Sequence, residues 1–258
     1  MKPDLVYIYS DIGLFDDELK YSLRSLKYIK DQYRNVVIVG DKPDWIKNII
    51  HIKAKDKYSN KQCNAISKLA KACRNKKVSN TFILMNDDFI FLVPQKIEIY
   101  HKKKLSDLAS HYGRGQYYHS IKNSRKALKD LTRRTTFKNY ELHYPFIYNK
   151  NKFLKLFSQI NWKHIPTIHR SVYGNYYMVP GKELIKDFKV YADTYQNGIT
   201  DQKFISTDNQ LMLNKKFKRL LKQKFPFKSK YECGILKKIY LFISWRGRWE
   251  NLKIRNLE

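Results

Sequence analysis

The chain has 258 residues, 43% of them hydrophobic, with 52 Lys and Arg against 23 Asp and Glu. That length and apolar fraction allow one large domain with a real core, and no stretch nears the ~18 consecutive apolar residues of a membrane span. Three widely spaced cysteines, Cys63, Cys73 and Cys233, with no C-x-x-C pair, exclude a disulfide framework.

The excess charge is uneven. Residues 1–100 hold 18 basic and 12 acidic residues, a net +6, whereas residues 101–258 hold 34 and 11, a net +23. So large a surplus lies on the surface and attracts polyanions: nucleic acid, an anionic membrane face or an acidic glycan. The plain alternative is a solvated basic surface enlarged by Lys-rich codon usage. Met1-Lys2-Pro3-Asp4 runs straight into a strand, unlike a secretion signal, and the cysteine usage suits a reducing compartment. The expected location is the cytoplasm.

The first hundred residues alternate strands and helices. Residues 5–9 and 36–40 read as buried parallel strands, with an acidic helix start at Asp16-Asp17-Glu18 between them. A turn at residues 41–44 leads to a shorter strand at 49–52, and a helix spans about 60–74. The most hydrophobic strand, 81–85, ends in Asn86-Asp87-Asp88 and continues as an extended segment, 89–94. This order predicts an α/β fold: an open, mostly parallel sheet flanked by helices, which binds ligands beyond the carboxyl ends of its strands. Asp11 and the Asp87-Asp88 pair both follow strand ends and reach one crevice.

The second half is basic and less regular. Residues 101–140 are helical in parts, with a loop at Gly113-Arg114-Gly115. Residues 140–148 read as a strand with Glu141 and His143 on one face, residues 153–160 as a helix, and residues 162–180 as loop. Asp208 opens a helix as its N-cap, or serves as a base for an acceptor hydroxyl. The tail from residue 215 mixes cations with aromatics, as in Trp245-Arg246-Gly247-Arg248-Trp249, a composition suited to phosphates and base stacking. The first hundred residues are the expected nucleotide-sugar-binding half, and 101–258 the basic acceptor-binding half of the same catalytic domain.

Two adjacent carboxylates after an apolar strand are costly unless a cation neutralises them. Mn²⁺ or Mg²⁺ held by Asp87 and Asp88 would bridge the phosphates of a nucleotide-sugar and stabilise the leaving diphosphate. Lys61 and Asn64 open the second helix, where N–H groups and a cation favour phosphate. His143, beside Glu141, suits a general base, and Arg170, in His169-Arg170-Ser171, an anion stabiliser.

Several segments resemble, in order, the Stealth group of sugar-phosphate transferases. They are residues 17–26 (DELKYSLRSL), 36–40 (VVIVG), 42–46 (KPDWI) and 82–89 (FILMNDDF). The chain is also similar to short bacteriophage-encoded glycosyltransferase-like proteins. Only part of the Stealth group's opening V-Y-T-W-V-(D/N)-G segment is kept in residues 6–11. The resemblance covers about residues 4–93 and implies a GT-A-like nucleotide-diphospho-sugar transferase, with a UDP-linked donor. It makes Asp11, contacting uracil or ribose, and Arg24 donor-site candidates, with Tyr9 and Asn86 beside them. His143-Tyr144-Pro145 matches an H-x-P context in which such proteins carry a functional His.

The expected function is therefore metal-dependent transfer of a sugar to a hydroxyl on a polyanionic acceptor, foremost a hydroxymethylated base of phage DNA. Arg133, Arg134, Arg246 and Arg248 are the expected acceptor contacts. One alternative is transfer of a sugar phosphate to a surface polysaccharide. The other is a non-enzymatic nucleic-acid-binding protein.

Overall fold

The computed structural model describes residues 1–10, 17–195 and 202–233. Its central sheet is built from β1 (Asp4–Tyr9), β2 (Val36–Gly40), β3 (Ile50–Lys53), β4 (Thr81–Met85) and β7 (Phe146–Asn149). The strand order is β3-β2-β1-β4-β7, parallel except for β7, which runs antiparallel to β4 at the edge. Side chains alternate between the two faces. Val6, Val37, Val39, Phe82 and Leu84 enter one core, and Leu5, Tyr7, Ile38, Ile83 and Met85 enter the other. Burial on both sides explains why these strands read as unbroken apolar runs.

The helix α1 (Asp17–Ser25) packs near β5 (Phe89–Phe91), and α2 (Lys61–Arg74) packs on β1 and β2. Asn60 caps α2 by accepting the Gln62 N–H at 2.8 Å. At Gly40, φ is +127° and a Cβ would lie 1.9 Å from the Tyr9 carbonyl oxygen, so only glycine lets β2 approach the end of β1.

After β4 the chain turns at Asn86-Asp87-Asp88, where the Phe89 N–H donates to the Asn86 carbonyl at 3.3 Å, and enters a second sheet. That sheet has the order β5-β10-β9, with β9 at Lys189–Val190 and β10 at Phe204–Thr207. Its register sets Phe89, Ser206 and Lys189 side by side across three strands. Asp88, just before Phe89, thereby meets both Ser206 and Lys189.

The basic half is built of helices: α3 (Leu105–Tyr112), α4 (Gly115–Thr132), α5 (Lys150–Phe157), α6 (His169–Tyr176), α7 (Asn209–Leu213) and α8 (Lys215–Lys224). A two-stranded pairing of β6 (Tyr100–His101) with β8 (Lys182–Glu183) completes it. Two expectations are corrected. Residues 140–145 are irregular and the strand begins only at Phe146, because Tyr140 and Glu141 hydrogen-bond Ser171 instead of a neighbouring strand. Within the expected loop at 162–180, residues from His169 form a buried helix, α6. No helix among the described residues is long and apolar enough to cross a membrane.

Candidate functional site

The turn between β4 and β5 carries the carboxylate pair. Asp88 is buried, 8% exposed, and its Oδ2 accepts from Lys189 Nζ at 2.9 Å and from the Ser206 hydroxyl. Its Oδ1 is buried without a hydrogen-bond partner. Burial, then the charge of Asp88, pushes the Asp87 carboxyl up to about 6. Glu18, at the start of α1, accepts from the Thr207 hydroxyl at 3.0 Å and is pushed up to about 7 by burial, then by Asp87 and Asp88. Three carboxylates thus face one another, with the Lys189 ammonium bonded to Asp88.

The second group lies on the segment after α4. His143 Nδ1 is 2.8 Å from Asp187 Oδ2, and its backbone N–H donates to Asp187 Oδ1 at 3.0 Å. Burial raises the Asp187 carboxyl, but its bonds from His143 hold it below the usual range. With Nδ1–H donated to Asp187, Nε2 carries the lone pair and can accept a proton. Glu141 receives the Ser171 N–H at 2.8 Å in the first turn of α6, and burial raises its carboxyl.

Arg170 joins the two groups. It donates to the carbonyls of Leu142 and Tyr144 on either side of His143, and its Nη2 donates to Asn86 Oδ1 at 3.0 Å. The second group and Arg170 border a cavity of about 1020 Å³ beyond the carboxyl end of β4, whose wall includes Asn86, His143, Arg170, Asp187 and Lys189. Asp87 and Asp88 are not in that wall; their neighbours Asn86 and Lys189 are.

A polar cluster also closes the carboxyl end of β1. Lys68, buried on α2, donates to the Tyr9 carbonyl at 3.2 Å and to the Ser10 hydroxyl, and pairs with Asp56 at 2.8 Å.

Several expected site residues do other work. Arg24 forms a bidentate pair with Glu232, at 2.8 and 2.7 Å, and donates to the Phe225 carbonyl, so it ties α1 to the C-terminal segment instead of reaching a diphosphate. Asn64 accepts the N–H groups of Lys57 and Tyr58 and donates to the Tyr58 carbonyl, which commits its amide to the loop before α2. Tyr9 is buried in the core on the α1 side of the sheet. Asp208 is the N-cap of α7, accepting the Leu211 N–H at 2.6 Å, in place of a base. Arg134 donates to the Asn175 carbonyl at the end of α6, a structural contact. With three of its five donors on protein oxygens, Arg170 is a clamp and not a free anion-binding arm.

Lys61 is exposed and lines the cavity. Arg133 is exposed, with φ 58° at the end of α4. Asp11, Arg246 and Arg248 lie outside the described residues. The residues missed in the sequence are Glu18, Asp187 and Lys189. Glu18 carried a signal, an acid at a helix start after a strand; Asp187 and Lys189 sit in a Lys-rich stretch without periodicity.

No protein-family model and no curated protein matches the chain. It is similar to solved structures of glycosyltransferases. With the galactosyltransferase LgtC, solved with donor and acceptor sugar analogs, the TM-score is 0.44 at 8% identity, over 85% of this chain and 95% of that one. With a glycosyltransferase involved in glycosylation of the major capsid of PBCV-1 it is 0.39 at 9%, over 88% and 100%. With the apo-form glycosyltransferase GlyE of Streptococcus pneumoniae TIGR4 it is 0.41 at 11%, over 93% of this chain and 59% of that one. At that distance nothing about chemistry follows from the likeness.

Proposed function

We propose that the chain is a glycosyltransferase, moving a sugar from a nucleotide-diphosphate donor to an acceptor hydroxyl. One observation carries this reading: Arg170 couples the turn holding Asp87 and Asp88 to the His143–Asp187 pair across one cavity at the strand ends. A carboxylate pair for the leaving diphosphate and a base for the incoming hydroxyl are the two halves of glycosyl transfer.

The residues fit a hard divalent cation. Asp88 Oδ1 is buried without a partner, and burial together with the neighbouring acids raises the carboxyls of Asp87 and Glu18. Among the described residues no three His, Cys, Asp or Glu side chains are placed to hold a metal unaided. That suits Mg²⁺ or Mn²⁺, bound by one or two carboxylates together with substrate phosphates. Asp87 and Asp88 would hold it, and bound there it would neutralise the charge on the departing diphosphate.

His143 Nε2 takes the proton of the acceptor hydroxyl as its oxygen bonds the anomeric carbon. The anomeric C–O bond to the diphosphate breaks, and the nucleotide diphosphate leaves with that electron pair. Asp187 holds the imidazole ring and stabilises its protonated form. Lys61 and Lys189, both in the cavity wall, supply positive charge to the phosphates.

Exposed Lys122, Arg125, Lys126 and Lys129 along α4 support a polyanionic acceptor, the expected DNA among them. The cavity wall itself carries Lys61, Lys102, Lys104, Lys186 and Lys189 beside Asp107, Glu141 and Asp187, so cations outnumber acids there as well.

The test is incubation with Mn²⁺ and a panel of nucleotide-sugars, labelled in the sugar or the β-phosphate, with hydroxymethylated duplex DNA or an oligosaccharide. Sugar label on the acceptor, lost in Asp87→Asn, supports the reading. Phosphate label on the acceptor means sugar-phosphate transfer. No transfer and no donor hydrolysis with any donor overturns both.

A further inference from the structure

Three tyrosines stand in the wall of the cavity, Tyr112, Tyr117 and Tyr191. Gly113 and Gly115 have φ of 63° and 87°, and a Cβ at either would meet nothing within 4 Å, so glycine serves there only to turn the backbone sharply between α3 and α4. The turn brings Tyr112, the last residue of α3, edge-on to Tyr117 in the first turn of α4, with ring centroids 4.6 Å apart. Tyr191, just after β9, lines the same cavity.

Tyr117 is partly buried and packs against the main core, but the other two rings are not core. Tyr112 is 44% and Tyr191 48% exposed, although both border a concave space. They lie close to the reacting groups: burial first, and then Tyr191, Asp187 and Glu141, raise the Tyr112 phenol. Exposed aromatic rings inside a cavity, beside carboxylates and a poised imidazole, describe a ligand wall.

We propose that Tyr112, Tyr117 and Tyr191 form the acceptor seat, and that it takes a neutral sugar ring, one C–H face on tyrosine and one hydroxyl at His143. This rests on the transferase reading and names its acceptor class. Ionised carboxylates only accept hydrogen bonds, so Glu141 and Asp187 suit the hydroxyl hydrogens of a sugar. The seat is therefore a carbohydrate site, and the cations along α4 lie outside it.

Saturation-transfer NMR tests the seat without turnover, using methyl hexopyranosides as probes and 5-hydroxymethyldeoxycytidine as the nucleoside arm. The expected result is transfer to a glycoside. Affinity weakens roughly tenfold or more in Tyr112→Ala and in Tyr191→Ala, the size of one lost aromatic contact, and is kept in Tyr112→Phe. Tyr191 is half exposed, so its variant reads the seat even if Tyr112→Ala misfolds. Equal glycoside binding by Tyr191→Ala, binding of the nucleoside alone, or no binding of any probe overturns the proposal. A protein that binds glycosides through these tyrosines yet transfers nothing fails the transferase reading alone.

Discussion

Arg170 Nη2 lies 3.0 Å from Asn86 Oδ1, while its Nη1 donates to the carbonyls on both sides of His143. One buried guanidinium thereby sets the distance between the end of β4 and the His143–Asp187 pair. Its planar fork satisfies three acceptors at once, which an ammonium cannot reproduce. The Phe89 ring, 5.7 Å away, covers the guanidinium.

Arg170→Ala takes the guanidinium from two buried carbonyls and an amide oxygen, of which the Leu142 carbonyl keeps the Tyr144 N–H, and the charge-assisted bonds lost point to about 2–4 kcal/mol of destabilisation. Arg170→Lys keeps the charge but cannot span all three acceptors. Urea midpoints for the pair should fall in the order wild type, Lys, Ala. Equal midpoints would mean the clamp contributes nothing.

Replacing His143 with Ala should lower turnover about 10²–10⁴-fold with little change in donor affinity. Asp187→Asn should lower it as well, because an amide fixes the ring less well and stabilises the imidazolium less. The two losses should not add in the double variant, since one residue acts through the other. Steady-state kinetics on the four proteins checks this, and additive losses would separate Asp187 from His143.

Loss of Asp87 and loss of Asp88 should differ in their effect on stability while both abolish transfer. Asp88 accepts from Lys189 and Ser206, so Asp88→Ala leaves a half-buried ammonium with only the Thr207 carbonyl, and should cost about 1–3 kcal/mol. Asp87 is held among like charges, and Asp87→Asn should cost nothing or stabilise. Thermal melts with and without Mn²⁺ read both effects: a cation binding only the folded state at about 100 times its Kd adds about 2.7 kcal/mol. That shift should vanish in both variants.

Acid should weaken the fold through two groups far apart in the chain. Burial, then the charge of Arg170, pushes His169 down to about 3, and Tyr148 hydrogen-bonds its Nδ1 at 2.7 Å. The unfolded chain takes that proton near pH 6.5, so the contribution of His169 is full above that pH and is lost as pH falls toward 3. Asp4 is buried, which raises its carboxyl, but Arg34 and the N–H groups of Ser79 and Asn35 hold it below the usual range. Its contribution is present above the unfolded carboxylate pKa, about 3.9, and is lost as pH falls through the lower folded value. Urea midpoints should decline from about pH 6.5 downward, by at most about 1.4 kcal/mol per pH unit from His169. His169→Gln should flatten the limb between pH 6.5 and 4; an unchanged slope there would assign it to other groups.

Local patterning determined the strands and helices of the first hundred residues. An apolar run buried on both faces reads the same in sequence as in the sheet, and a capping Asn marks the start of α2 wherever it packs. The turn at Asn86-Asp87-Asp88 was legible for the same reason: two acids cannot follow a buried strand without a counter-charge. Tertiary structure alone decided which counter-charges and partners they meet. Lys189 reaches Asp88 because β9 pairs with β10 in one register, and no spacing along the chain encodes a pairing between strands about a hundred residues from that turn. Asp187 meets His143 across 44 residues, and Arg24 pairs with Glu232, 208 residues away. Charge and residue type nominate such groups. Which acid a cation finds depends on long-range packing, because the cost of burying an unpaired charge is settled only when the chain closes around it.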